Sequence, residues 1–505
     1  MMFPIKFVRR GFLIGMMCGW IGATSISTQA QNLTYTPTPS NPVGRAPQAI
    51  ATGDFNGDGH SDLATVNGTS DDVSVLLGNG NGTFQSAVSF GVGKIPLALV
   101  AKDIDRDGVS DLVVALSGSD QVVVLKGDGK GLFQKWADQA VGKGTTFLVA
   151  EDLNADGWND VVAANSGRFG YYPPFNMSVL LNDGKGYLEE SVLYEQDRGE
   201  EMFPTGIFVG DLTGDKVVDL AVTWSQPSWS SANGLVSILK NTGDGTFESS
   251  KDLKPGFTLS AIHGADIDHN GLVDLAVTSL YADTVRVLLQ HEPGEFRMLD
   301  SVKVGFAPVG VKLQDVNQDD ELDLVVVNRD SNSLSLFVGE GTGAFTTVGH
   351  FGVGATPAAV VVHDFDQDSL PDLATASTNV DGVSVLLSGG GAIPLPSINT
   401  DALVFEQGIS FTPSAKPSSQ PVRFSNIGLG LLQIDTIEIS GTGAGAFATI
   451  DNTCQGITLH TGESCSLQVS FTGKTSGTHY ATLIIQDNAS GSPRRVILKG
   501  IVNKG

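Results

Sequence analysis

Aspartates carry the chemistry of this chain. The pattern Asp-x-(Asp/Asn)-x-Asp-Gly-x-x-Asp-Leu recurs seven times, with copies opening at Asp54, Asp103, Asp152, Asp211, Asp266, Asp315 and Asp364. Oxygen-bearing side chains at positions 1, 3, 5 and 9 of such a loop make a hard-oxygen cage suited to Ca²⁺. Gly at position 6 permits the sharp turn, and a backbone carbonyl near position 7 adds a ligand. The candidate metal ligands are Asp54, Asn56, Asp58 and Asp62; Asp103, Asp105, Asp107 and Asp111; Asp152, Asn154, Asp156 and Asp160. The later copies supply Asp211, Thr213, Asp215 and Asp219; Asp266, Asp268, Asn270 and Asp274; Asp315, Asn317, Asp319 and Asp323; and Asp364, Asp366, Asp368 and Asp372. Up to seven Ca²⁺ sites follow. The first three copies read as the strongest and the Asp211 copy as the weakest, because it has Thr213 at position 3 and Lys216 in place of Gly, an ammonium that could lie near the site. Asp320 and Ser369 replace the same Gly in the last two copies. Solvated Asx-turns are the bland alternative, but they do not explain sevenfold repetition at ligand spacing. An EF-hand is excluded, since position 12 is Thr65 and Val114 in the first two copies where a bidentate Glu is required.

The elements that must hold these loops are strands. Copies lie 49 to 59 residues apart, a period that signals stacked or radial supersecondary units. A Pro opens several units (Pro47, Pro96, Pro204, Pro308, Pro357), followed by a short apolar run into the first Asp. A β-type run such as Leu324-Val-Val-Val327 follows the last Asp, then a second such as Val122-Val-Val-Leu125. A Gly-rich turn next leads to an aromatic, as in Gly80-Asn-Gly82-Thr-Phe84 and Gly129-Lys-Gly131-Leu-Phe133. Four strands per unit and seven units predict an all-β chain with a seven-bladed β-propeller over 31–391. The last unit runs into Gly389-Gly390-Gly391 without its final strand, so residues 33–44 are expected to supply that strand and close the ring.

With Phe90-Gly91 before Pro96 and Phe351-Gly352 before Pro357, the repeat resembles the FG-GAP/VCBS repeats of integrin α-subunit propellers and bacterial surface proteins. The resemblance covers roughly 33–391 and implies calcium held in hairpin loops of a propeller.

The two ends differ from this body. Residues 1–30 read as a signal peptide, with Lys6, Arg9 and Arg10 before the apolar run Gly11–Ile21 and a small-residue cleavage site at Thr28-Gln29-Ala30. Export by the Sec or twin-arginine route, to the cell surface or medium, follows, and no later stretch is apolar enough to span a membrane. After a linker at 392–400, residues 401–505 show about seven short alternating strands, which suggest an immunoglobulin-like β-sandwich. Cys454 and Cys465 read as a disulfide closing a short loop. Phe424-Ser-Asn-Ile-Gly428, Gly462-Glu-Ser-Cys465 and Val469-Ser-Phe471 resemble the ASH/Hydin-type (choice-of-anchor D) module, which implies a structural or interaction role.

Charge and composition narrow the function. The formal net charge of −25 argues against nucleic acid or anionic membrane as a partner. Of 55 acidic side chains, 23 are the ligand-position aspartates, so the acidity is local rather than a steering field. No nucleophile elbow, Walker loop, Rossmann fingerprint or HExxH helix is present, and His263, His269 and His363 beside the loops read as packed or solvated. The two longest units insert aromatics between their second and third strands: Tyr171, Tyr172 and Phe175, then Trp224 and Trp229. These form a candidate ligand-binding face opposite the metal loops. The expectation is a non-catalytic binding or adhesion module for a glycan or extracellular protein. The alternatives are a calcium-dependent polysaccharide lyase, with Arg168 and Tyr171 as its chemistry, or a pure scaffold.

Overall fold

The aliphatic run after each ninth-position Asp becomes a strand buried along its whole length, as in Asp62–Asn67, Asp111–Leu116 and Asp323–Asn328. A strand covered on both faces must be apolar at every position rather than alternating. The computed structural model describes residues 33–167, 176–195, 202–226, 234–256, 258–389, 396–398, 402–408, 418–426, 432–459, 463–487 and 493–503. Seven antiparallel sheets follow one another along the chain. Six are built from consecutive strands, beginning with Pro47–Gly53, Asp62–Asn67, Asp72–Leu76 and Val88–Gly91.

Blade 7 takes its outer strand from the N-terminus: Tyr35–Pro37 pairs antiparallel with the strand Gly382–Ser388. Tyr35 is buried, its ring meets Phe351 edge-on, and its hydroxyl donates to the Pro371 carbonyl oxygen at 3.3 Å. Ring closure also shows in the packing, because each core lies between two blades rather than within one. Ile50, Leu63 and Leu76 of blade 1 share a cluster with Phe365, Ala374 and Val385 of blade 7. Blades 1 and 2 share another through Phe55, Leu99 and Phe133. The chain is all-β and propeller-like.

The C-terminal segment forms two further sheets, of four and five strands, over a common core that includes Phe405, Phe424, Phe447, Phe471 and Leu483. The first of these strands, Pro396–Ile398, lies inside the stretch read as linker, because it pairs with Ser418–Asn426. Cys454 and Cys465 form the disulfide, with Cα atoms 5.1 Å apart. Residues 1–32, the proposed signal peptide among them, lie outside the described residues. No helix among the described residues is long and apolar enough to cross a membrane.

Candidate metal centres

Each Asp loop joins the first and second strands of its blade, and its backbone repeats in all seven copies. Positions 4 and 6 both adopt left-handed conformations. Position 6 is Gly59, Gly108, Gly157 and Gly271 in four loops, but Lys216, Asp320 and Ser369 hold the same positive φ of 66° to 72°. Loss of Gly therefore leaves the turn's shape intact, at some cost in strain.

Hydrogen bonds assign each acidic position a role. The first Asp accepts from the position 6 amide, as Gly59 to Asp54 at 2.9 Å and Ser369 to Asp364 at 2.9 Å. The fifth-position side chain accepts from the position 7 amide, as Trp158 to Asp156 at 2.8 Å. The ninth-position Asp is fully buried in every loop. One of its oxygens accepts the position 2 amide and the other an amide at the end of the third strand. For Asp62 these are Phe55 at 2.8 Å and Gly78 at 2.7 Å. For Asp372 they are Phe365 at 2.8 Å and Ser388 at 2.7 Å.

Carboxylates that converge like this resist ionisation without a cation. Burial, then the neighbouring carboxylates, pushes Asp62, Asp111, Asp160 and Asp274 up to about 6. Burial likewise raises Asp372 to about 6 and Asp323 to about 7.

One carboxylate oxygen from each of Asp103, Asp105 and Asp111 lies within 4.8 Å of the others, close enough to share an ion, as do those of Asp211, Asp215 and Asp219, of Asp266, Asp268 and Asp274, and of Asp364, Asp366 and Asp372. The Asp211 loop, read as weakest, thus gathers its carboxylates as closely as the others. In the first, third and sixth loops position 3 is Asn, whose amide donates to the fifth-position carboxylate, as Asn56 to Asp58 at 2.9 Å. Among the described residues, three buried carboxylate oxygens at ligand positions have no hydrogen-bond partner: Asp103 Oδ1, Asp152 Oδ1 and Asp268 Oδ1. A buried polar atom without a partner costs free energy, and a cation drawn in among them would supply one. The oxygen-only donor set fits a hard divalent ion.

The loops also join the blades. The position 2 carbonyl accepts from the Gly-rich turn of the next blade: Phe55 from Gly131 at 2.9 Å, and Phe365 from Gly82 at 2.9 Å across the closure. In blades 3, 4 and 5 a side-chain amide replaces the turn's N–H, as Asn182 to Ile104, Asn241 to Leu153 and Gln290 to Leu212. Metal loops and Gly turns therefore share one face, as strand reversal requires. On the other face a second set of acceptors, unnoticed in the sequence, caps the residue at the entry of the next blade. Asp71 accepts from Ile95, Asp120 from Gly144, Asp283 from Ala307, Asn332 from Thr356 and Asp381 from Ala46. The sequence signal was an Asp or Asn directly ahead of the third strand in these five blades.

Of the aromatics predicted for that face, only Trp224 lies among the described residues, and it is not displayed there. Trp224 is fully buried in the second strand of blade 4, packed with Met177, Ile207 and Leu239; a strand covered on both faces cannot display it. Tyr171, Tyr172, Phe175, Trp229 and Arg168 fall outside the described residues. An aromatic site that sequence reasoning missed lies beside the second metal loop. Lys126 lies over the Trp136 ring, 4.1 Å from its centroid, and Trp136 meets the exposed Tyr187 edge-on at 5.4 Å. Phe90, Lys126, Asp128, Gln134 and Trp136 line an open groove of about 780 Å³. The three histidines find ordinary roles: His269 contacts Glu321 at 2.9 Å, His363 contacts Ser61 at 2.9 Å, and His263 accepts from Leu313 at 3.4 Å.

A model of the FG-GAP-like repeat matches residues 54–114, 152–222 and 315–375. The chain carries FG-GAP-like repeats. Six of the seven Asp loops lie in these FG-GAP-like stretches, and the seventh, Asp266–Asp274, has the same backbone. No curated protein sequence matches the chain. Among solved structures it is similar to a protein from Lactobacillus plantarum (16% identity, 63% of this chain and 88% of that one, TM-score 0.47). It is also similar to a periplasmic gluconolactonase from Pseudomonas aeruginosa (16%, 62% and 87%, 0.46). A third is a putative 6-phosphogluconolactonase from Bacteroides uniformis (14%, 68% and 96%, 0.45). The expectation of a protein without catalytic activity is corrected here, since two of these three are named as enzymes. Missing sequence motifs do not exclude catalysis on such a scaffold, because active sites are grafted onto folds.

Proposed function

We propose that this protein is an exported, calcium-loaded propeller that serves as a binding module for an extracellular glycan or protein. The observation that carries the reading is the repeated loop, seven times the same backbone, with partnerless buried oxygens directed among converging carboxylates. Calcium in these loops would tie the first and second strands of each blade and, through the position 2 carbonyl, stiffen the junction to the next. The Asp, Asn and Thr oxygens would hold the ion, and the ion would supply charge neutralisation within each loop.

The groove beside Trp136 suits a sugar: an indole face for the ring, with the Lys126 ammonium, the Asp128 carboxylate and the Gln134 amide for hydroxyls. The C-terminal sheets fit an immunoglobulin-like interaction module, and the disulfide between Cys454 and Cys465 fits an oxidising destination. A panel of glycans and matrix proteins tests the reading, with wild type in calcium, wild type in EDTA, and Trp136→Ala. Retention of a ligand that is lost in EDTA and weakened by Trp136→Ala supports it. A wild type that retains nothing, or retains a ligand equally well in EDTA, overturns it, and chemical change of a retained glycan would make the groove an active site.

A further inference from the structure

The residue just before the amide that caps the ninth-position Asp occupies one register position in every blade. It is Leu77, Lys126, Leu181, Lys240, Leu289, Val338 and Leu387. Four of the leucines pack beneath the next blade's Gly turn, where a β-carbon on Gly131, Gly245, Gly343 or Gly82 would strike them. The two lysines do something else. Lys126 Nζ bonds Asp105 and sits 2.9 Å from Asp107, and Lys240 Nζ sits 3.1 Å from Asp215. Each ammonium thus lies against the third- or fifth-position carboxylates of its own loop.

We propose that Lys126 and Lys240 are tethered counter-cations that compete with divalent metal in the second and fourth loops, so that the seven loops fall into two affinity classes. This rests on the calcium reading above. An ammonium at salt-bridge distance neutralises part of the charge that would draw in a divalent ion, and the ion must break that bridge to bind. Both lysines are partly exposed, at 35% and 46%, as are Asp107 and Asp215, so those two bridges are of the weak kind that a divalent ion can displace, while Asp105 is nearly buried and holds Lys126 more firmly. In the second loop, displacement would also release the ammonium from the Trp136 face, beside the groove. The sequence ranks the Asp103 loop among the three strongest; its lysine moves it to the weaker class.

The test counts ions by equilibrium dialysis over a calcium series on the full protein, as wild type, Lys126→Met, Lys240→Met and the double variant, with Lys126→Arg as the charge-retaining control. The expected result is a calcium range in which each Met substitution adds one bound ion, the two new sites being at least about tenfold tighter than in wild type, while Lys126→Arg adds none. Unchanged stoichiometry and affinity in the Met variants overturns the proposal and leaves the calcium reading standing. Absence of bound calcium from wild type and variants alike overturns both. Should a variant fail to fold, amine acylation of wild type decides. Lys126 and Lys240 should become more reactive as calcium is added while Lys94, bridged to Asp71 away from the loops, stays constant, and equal response of all three overturns the proposal.

Discussion

Gly131 donates its backbone N–H to the carbonyl oxygen of Phe55, 2.9 Å away and one blade earlier. The amide on the other side of Phe55 donates to Asp62 at 2.8 Å. One residue therefore links the buried carboxylate of a metal loop to the neighbouring blade. The side chains repeat the link, since the Phe55 ring meets Phe133, which follows the Gly131 turn, edge-on at 5.4 Å. Phe365 and Phe84 repeat it across the closure at 5.8 Å. Loop geometry and ring integrity are thereby mechanically coupled.

Chelation should lower thermal stability in a single cooperative step. At free calcium about tenfold above the dissociation constant, each site contributes about 1.4 kcal/mol. Six such sites approach about 8 kcal/mol, comparable with the stability of a whole domain. Scanning calorimetry with and without EDTA measures it, and an unchanged transition would remove calcium from the account.

The pH dependence should change sign with calcium. Burial raises the ninth-position carboxyls of Asp62, Asp111, Asp160, Asp274 and Asp372 to about 6 and that of Asp323 to about 7, against an ordinary 3.8, so the folded chain binds protons that the unfolded chain has released. Their contribution is full below about pH 4 and is lost as pH rises through about 6. In EDTA, melting temperature should therefore fall between pH 5 and pH 7.5; in millimolar calcium it should rise over the same interval, because the ion takes the proton's place.

Two aspartates of one loop should separate structure from ion binding. Asp160→Ala strands the Leu153 and Asn182 amides that its oxygens accept. It should cost about 2–5 kcal/mol even in EDTA, and more in calcium, where a ligand is lost as well. Asp156→Asn keeps the loop's shape and should cost stability only when calcium is present. Urea titrations of both variants in calcium and in EDTA provide the comparison.

Trp224→Ala should destabilise the protein by about 3–5 kcal/mol, as removal of a fully buried indole does. Trp136→Ala, at the rim, should leave the melting temperature within a degree or two while weakening ligand retention. The reverse pattern would return the recognition surface to the opposite face.

Much of this protein is legible in its residue order. Seven Asp loops recurring every 49 to 59 residues, each followed by an aliphatic run, determine seven sheets, because a run buried on both faces has nowhere to lie except between neighbours. The missing final strand determined that the N-terminus must complete the ring, and Tyr35–Pro37 does so. Tertiary structure alone decided what depends on register between distant segments. Lys126 and Lys240 look like any strand residues until the blade folds them back over carboxylates 19 to 25 residues earlier in the chain. Trp224 looks like a loop aromatic until both faces of its strand are covered. The roles of Asp71 and Asp381 appear only when the next blade's entry arrives to donate its amide. Local sequence sets which groups can ionise, turn or pack; which of them meet is set by how the blades close on one another.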